Sequence, residues 1–83
     1  MPLTDRDRAI LAFEAEWQRH AGAKEEGIRA ELGLSPARYY QLLGRLIDTA
    51  EAQAHDPMLV KRLRRLRDAR TAARVSRAAG EPR

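Results

Sequence analysis

The fold of this chain is decided by residues 23–45, which read AKEEGIRAELGLSPARYYQLLGR. Ser35 is a favourable N-cap, and Pro36 follows at the first helical position, where its missing N–H costs nothing. Gly33 can adopt the left-handed conformation that ends the preceding helix, and the apolar Leu34 lies between the two helices. The stretch therefore predicts a short helix, a tight turn and a longer helix.

Apolar residues at helical spacing give both helices a face that can be buried. In the shorter helix, predicted over Ala23–Leu32, Ile28 and Leu32 lie one turn apart. Gly27 within it costs about 1 kcal/mol relative to alanine, so this helix needs tertiary support. The longer helix carries a broad apolar face that consists of Tyr39, Leu42, Leu43, Leu46, Ile47 and Ala50.

Two further helices flank this unit. The first begins after Thr4, a good N-cap, and we expect it to stop around His20–Gly22. Its apolar side carries Ile10, Phe13 and Trp17, and polar residues such as Glu14 are expected on its other faces. The last helix begins at Asp56 and Pro57, again a cap followed by a proline.

These four helices, with no predicted strand, define an all-α fold class: a three-helix bundle of the helix-turn-helix type with a C-terminal basic helix. We expect one domain, with the core in residues 1–56, the basic helix in 57–77 and a flexible tail in 78–83. The apolar stripe of the basic helix consists of Leu59, Leu63 and Leu66. We expect these leucines to be more buried than Arg62, Arg65 and Arg70, and the later turns to project.

Charge is distributed unevenly along the 83 residues, of which 34% are charged and whose net charge is +4. Residues 1–60 hold 7 Lys and Arg against 10 Asp and Glu, a net charge of −3. Residues 61–83 hold 9 Lys and Arg against 2 acidic residues, a net charge of +7. An acidic body with a basic end favours a polyanionic partner, most often nucleic acid.

The composition argues against several other classes. Without cysteine there is no disulfide framework and no thiolate zinc site, and His20 and His55 belong to no metal-binding or catalytic motif. We therefore expect no enzyme activity, no cofactor and no metal. No apolar run is long enough to span a membrane, so we expect a soluble, cytoplasmic protein associated with the nucleoid.

The longer helix of the central unit is the candidate for reading DNA. In the helix-turn-helix geometry, the N-terminal half of the second helix enters the major groove. Arginine suits guanine and glutamine suits adenine, so we predict base contacts from Arg38, Tyr40, Gln41 and Arg45. The predicted phosphate contacts are the cations of the last helix: Lys61, Arg62, Arg64, Arg65 and Arg67.

Other interpretations of the same residues stay open. Any small helical bundle can show this pattern, with Arg38, Gln41 and Arg45 as a solvated face. The motif's fifth position is usually small; here it is Arg29, which would require a wider helix crossing if it faced the third helix. The alternative function is a protein-interaction module that binds RNA polymerase or another regulator. The basic helix could also serve RNA or an acidic protein, and a homodimer is open.

Two family resemblances accompany these residues. Leu3–Leu11 and Ile28–Ser35 resemble region 4 of bacterial sigma factors and related response-regulator effector domains. The runs Gly22–Glu25, Arg38–Gln41 and Asp56–Leu63 resemble a small actinobacterial family, the domain of unknown function 3263 family. That second resemblance implies a helix-turn-helix-like fold and no established activity. We expect a DNA-binding protein with double-stranded DNA as its partner, acting as a transcriptional regulator.

Overall fold

The computed structural model describes residues 2–17 and 23–79, and these residues form helices and turns with no strand. The all-α fold class is therefore confirmed. The helices are α1 (Asp5–Trp17), α2 (Lys24–Gly27), α3 (Pro36–Leu46), α4 (Ala50–His55) and α5 (Pro57–Ala79). One π-helical turn, Ile28–Leu32, continues α2. The predicted end of the first helix, at His20–Gly22, lies outside the described residues.

The local signals at the turn before α3 act as predicted. Gly33 has a φ of 66°, in the left-handed region, and its N–H donates to the carbonyl of Arg29 at 3.1 Å. The Ser35 hydroxyl accepts a hydrogen bond from the N–H of Arg38 at 3.2 Å, and Pro36 occupies the first turn. Leu34 packs against the core between the two helices. These contacts fix where α3 begins and how it leaves the turn.

The region after α3 differs from the prediction, because a separate helix, α4, stands between α3 and the basic helix. The Thr49 hydroxyl caps α4 by accepting from the N–H of Ala52 at 3.1 Å, and it donates to the carbonyl of Leu46 at 2.7 Å. The apolar spacing from Leu43 to Ala50 continues across this break, so periodicity alone merges the two helices. Ala50 is exposed and begins α4 instead of extending the apolar face of α3.

Five segments contribute to a single core. Its buried apolar residues are Ile10, Leu11, Phe13, Ile28, Tyr39, Leu43, Leu46, Ile47, Ala52, Leu59, Val60 and Leu63. The first helix and the π-helical turn pack against α3, and α4 packs against α5. The core therefore encloses one side of α3 and leaves its other side to solvent.

Only the start of α5 docks on this body. Leu59 and Leu63 are buried, as predicted, but Leu66 is 49% exposed. Leu66 is less buried than the other two leucines of the stripe, because the packed elements reach only two turns along α5. Residues 68–77 are exposed and project, as expected, and the helix runs to Ala79, two residues past its predicted end. Residues 80–83 lie outside the described part of the chain.

Close approach between helices occurs at Gly27 and not at Arg29. Arg29 is exposed and does not face α3, so the helix crossing needs no widening there. A Cβ atom added at Gly27 would lie 2.9 Å from Cζ2 of Trp17 and 3.3 Å from Cε2 of Phe13. The aromatic side chains of α1 pack directly on the backbone of α2. This close contact explains why position 27 holds a glycine in spite of its low helix propensity.

Two glycine substitutions separate this packing role from helix propensity. Gly27→Ala is expected to lower the free energy of unfolding by about 1–2 kcal/mol, because overpacking against Trp17 outweighs the gain in helix propensity. The matched control is Gly44→Ala in α3, where an added Cβ meets nothing within 4 Å. This change is expected to stabilise the fold by up to about 1 kcal/mol. Urea denaturation followed by circular dichroism measures both, and equal stabilisation by the two changes would contradict the close packing at Gly27.

Candidate nucleic-acid interface

The solvent face of α3 presents three polar side chains together. Arg38, Gln41 and Arg45 are all exposed, while Tyr39, Leu43 and Leu46 are buried on the opposite side of the helix. Nη1 of Arg38 donates a hydrogen bond of 2.7 Å to Oε1 of Gln41. We call these three residues the α3 polar face. Their grouping agrees with the sequence prediction, and the hydrogen bond orients two of the three side chains relative to each other.

A buried polar cluster lies behind this face and joins three helices. Glu14 of α1 is 5% exposed, and its Oε1 accepts a hydrogen bond of 2.5 Å from the hydroxyl of the fully buried Tyr39. Nζ of Lys24 lies 2.9 Å from Oε1 and 3.1 Å from Oε2 of the same carboxylate. The cluster thereby links α1, α2 and α3, and it satisfies the buried carboxylate with one neutral and one charged donor.

The expectation that Glu14 lies on a polar outer face is wrong. Its position in α1 sits between the buried Leu11 and the half-buried Trp17, and its carboxylate is satisfied by residues 10 and 25 positions away in the chain. Glu16, in contrast, is exposed. The sequence does hold one signal for this burial. Glu14 lies three residues after Leu11 and three before Trp17, which is the spacing of neighbours on one face of a helix.

Burial and charge shift the proton affinities in this cluster. Burial raises the pKa of the Tyr39 phenol, and the hydrogen bond to Glu14 and its negative charge raise it further. Burial lowers the pKa of Lys24, but the hydrogen bond and charge of Glu14 outweigh that effect, so the pKa lies above its usual value. Both shifts favour the protonated forms, in which Tyr39 donates to Glu14 and Lys24 pairs with it.

Tyr40 is not brought together with the α3 polar face. Tyr40 lies two positions after Arg38, which turns it about 200° around the helix. Its ring packs edge-on against Tyr39 at 5.0 Å, and Nζ of Lys24 lies 5.2 Å from its centroid. A base contact from Tyr40 stays a prediction, but this arrangement does not place it beside Arg38, Gln41 and Arg45.

Four of the five predicted phosphate contacts on α5 fall into two groups. Arg67 forms two hydrogen bonds of 3.0 Å to the carboxylate of Asp48, and Nε of Arg64 lies 3.8 Å from the same carboxylate. Asp48 lies two residues past the end of α3, so these arginines contact the chain at the C-terminal end of that helix. Lys61 and Arg65 lie about 160° around the helix from the buried Leu63, on the outer side of α5.

Arg62 belongs to neither group and lines a groove between α3 and α5. Asp48 holds Arg67 strongly enough to raise the pKa of its guanidinium. The Asp48 carboxylate is thus an anionic partner that Arg64 and Arg67 share within the chain.

Searches for other kinds of site in the described residues give two findings. No group of three or more His, Asp or Glu side chains within residues 2–17 and 23–79 converges to hold a metal ion. No helix in that part of the chain is both long and apolar enough to cross a membrane.

Comparison with known proteins identifies a family. Residues 2–75 match the model of the family described as Protein of unknown function (DUF3263). The chain belongs to this family. No curated protein and no solved structure matches this DUF3263 chain. The match covers α1 to α4 and most of α5, so both the α3 polar face and the docked part of the basic helix lie within the family's span.

The buried cluster predicts a loss of stability at alkaline pH. An unfolded tyrosine releases its proton near its ordinary pKa of 10.0, whereas folded Tyr39 keeps it. Above this pH the unfolded state therefore binds fewer protons, and the free energy of unfolding falls by about 1.4 kcal/mol per pH unit from this group. Lys24 adds to the fall as pH passes its usual value of 10.5.

Tyr39→Phe should make this fall shallower, because the phenol is removed, and should cost about 1–2 kcal/mol at neutral pH through the lost hydrogen bond to Glu14. The control is Tyr40→Phe, which removes the hydroxyl of the neighbouring, half-exposed tyrosine. Urea titrations between pH 7 and 11 measure both variants. The same dependence on pH in the two variants would show that Tyr39 is not the group responsible.

Proposed function

We propose that this protein binds double-stranded DNA through the helix-turn-helix unit formed by α2, its π-helical turn and α3, and that it regulates transcription. The observation that supports this proposal is the α3 polar face: Arg38, Gln41 and Arg45 stand exposed together while the core holds the other side of α3. In such units the N-terminal half of the second helix enters the major groove.

The chemistry of the three side chains suits base edges. Arginine makes paired hydrogen bonds to O6 and N7 of guanine, and glutamine does the same to N6 and N7 of adenine. The hydrogen bond between Arg38 and Gln41 uses one of five guanidinium N–H donors, so further donors of Arg38 remain for a guanine. Orienting these side chains before binding reduces the entropy lost on contact.

The charge distribution of the chain favours one orientation on DNA. The exposed acidic residues of α2 and the π-helical turn are Glu25, Glu26 and Glu31, and they would repel phosphates from that side. Arg64 and Arg67 lie at Asp48, past the C-terminal end of α3, and can exchange that carboxylate for a DNA phosphate. The proposed complex therefore has α3 in the major groove and these two arginines on the backbone, with a cytoplasmic, nucleoid-associated location as its consequence.

A single substitution tests whether α3 reads bases. Arg38→Ala should weaken binding to a selected duplex by about 1–3 kcal/mol and relax the base preference at one position. Sites are first selected from a random duplex pool, and binding to the selected and a scrambled duplex is then measured by fluorescence anisotropy. The matched control is Arg6→Ala, which removes the same charge from the exposed start of α1.

Neutralising Arg64 should act differently from Arg38→Ala. It should weaken binding to both duplexes equally and lower the dependence of the logarithm of affinity on that of salt concentration by about one unit. An unchanged ratio of selected to scrambled affinity in Arg38→Ala would refute base reading by α3. Equal losses in Arg6→Ala and Arg38→Ala would show that only total charge matters.

A second function, binding to RNA polymerase or another regulator, is favoured by a separate observation. Tyr40 is 46% exposed and Leu66 is 49% exposed, and both line one groove between α3 and α5. Failure of both arginine variants to weaken DNA binding would favour this second function over the first.

A further inference from the structure

A groove of about 670 Å³ runs between α3 and α5, on a different side of α3 from its polar face. Its apolar lining consists of Tyr40, Leu43, Gly44, Ile47, Leu63 and Leu66. Tyr40 and Leu66 are the half-exposed members of this set, at the opening of the groove. Large apolar side chains that line an open groove are typical of a surface that a partner covers.

The opening of the groove is edged by cations. Lys24 stands on one side, and Arg62, Arg67 and Arg70 stand on the α5 side. Glu14 also lines the groove, but it is buried and its carboxylate is neutralised by Lys24. Arg70 is exposed and forms no ion pair with any residue in the described ranges. A partner that enters the groove therefore meets an apolar floor and, on the α5 side, a positive edge to which Arg70 contributes, since Glu14 and Asp48 already balance the charges of Lys24 and Arg67.

The basic character continues along α5 past the end of the body. Arg70, Arg74 and Arg77 follow one another at helical spacings of four and three residues. They lie within about 40° of Leu63 around the helix, on the side that faces the body earlier in α5. All three are exposed. Where the packed core ends, the inner side of α5 thus changes from leucine to arginine.

We propose that this groove binds an amphipathic acidic helix of a partner protein. Leucines spaced i, i+3, i+4 and i+7 on the partner would cover Tyr40, Leu63 and Leu66, as in other helix-in-groove complexes. Its carboxylates would face Arg70 and continue toward Arg74 and Arg77. The site uses none of the residues of the α3 polar face, and the one residue that it shares with the proposed DNA contacts on the backbone is Arg67.

Two other occupants fit the groove less well. A second copy of this chain that packs α5 against α5 would bring Arg70, Arg74 and Arg77 of both copies together, and their like charges repel. A nucleic acid backbone offers charge but no apolar group for Leu43, Ile47, Leu63 and Leu66, and desolvating phosphates against them is costly. An acidic amphipathic helix offers leucines to the apolar lining of the groove and carboxylates to the arginines of α5.

Synthetic peptides test this proposal with the whole protein. The probe is a fluorescent helical peptide of about 15 residues, with leucines at the stated spacing and glutamates elsewhere. Its controls are a peptide of the same composition in scrambled order and a peptide in which lysine replaces glutamate. Anisotropy titrations should show at least about tenfold tighter binding of the acidic amphipathic peptide than of either control.

Paired variants locate the site. Leu66→Ala should weaken binding about tenfold, because the peptide loses the apolar surface that buries this side chain, while Met58→Ala should leave it unchanged. Met58 is 76% exposed on the same helix and does not line the groove. Arg70→Glu should weaken binding about fivefold at low salt, and Arg65→Glu, on the outer side of α5, should weaken it less.

Several results would overturn the proposal. Equal affinity for the acidic peptide and its scrambled form would remove the requirement for an amphipathic helix. Equal losses in Leu66→Ala and Met58→Ala would place the peptide outside the groove. Duplex DNA binding that falls in Leu66→Ala would assign the groove to nucleic acid. A dimer in analytical ultracentrifugation that Leu66→Ala dissociates would assign it to a second copy.

Discussion

The arrangement of α1, α2 and α3 depends on one buried carboxylate. Glu14 accepts from the Tyr39 hydroxyl and pairs with Lys24, so that each of the three helices supplies one member of the cluster. Removing the Tyr39 hydroxyl would cost about 1–2 kcal/mol through the lost hydrogen bond. Removing Lys24 would leave the buried charge without its cation, at a cost of about 3–5 kcal/mol for a fully desolvated pair. Because a quarter of the Lys24 side chain is exposed, the cost of removing Lys24 lies at the lower end of this range. In a chain of 83 residues this is a large part of the total stability.

This constraint determines what α3 can present to a partner. Because Tyr39 is held toward α1, the opposite side of the helix carries Arg38, Gln41 and Arg45 into solvent. The groove beside Tyr40 lies on a third side, where Lys24 completes its edge. The two proposed surfaces are thus separate but share a support, since the cluster that orients the α3 polar face also places one cation of the groove. Asp48 links the end of α3 to α5 through Arg64 and Arg67.

Local signals in the sequence predicted much of the fold. Ser35 with Pro36 and Asp56 with Pro57 fix helix starts through caps that involve only neighbouring residues, and Gly33 fixes a helix end in the same way. The separate helix α4 was missed because apolar spacing continues through its cap, Thr49. The cluster around Glu14 depends on contacts across 25 residues, which no local pattern reveals. For the candidate site, the spacing of three and four residues between Arg38, Gln41 and Arg45 predicted the exposed α3 polar face. Tyr40 lies about 200° around the helix from Arg38, so the same geometry places it on another side.

In the proposed complex, the side of α3 opposite the core contacts DNA. The most direct test of this contact is a titration of isotope-labelled protein with a selected duplex, followed by nuclear magnetic resonance of backbone amides and arginine side chains. We expect the largest chemical-shift changes at Arg38, Gln41 and Arg45, with smaller changes at Arg64 and Arg67 and none at Leu66. Changes confined to Tyr40, Leu66 and Arg70, with the α3 polar face unaffected, would contradict it.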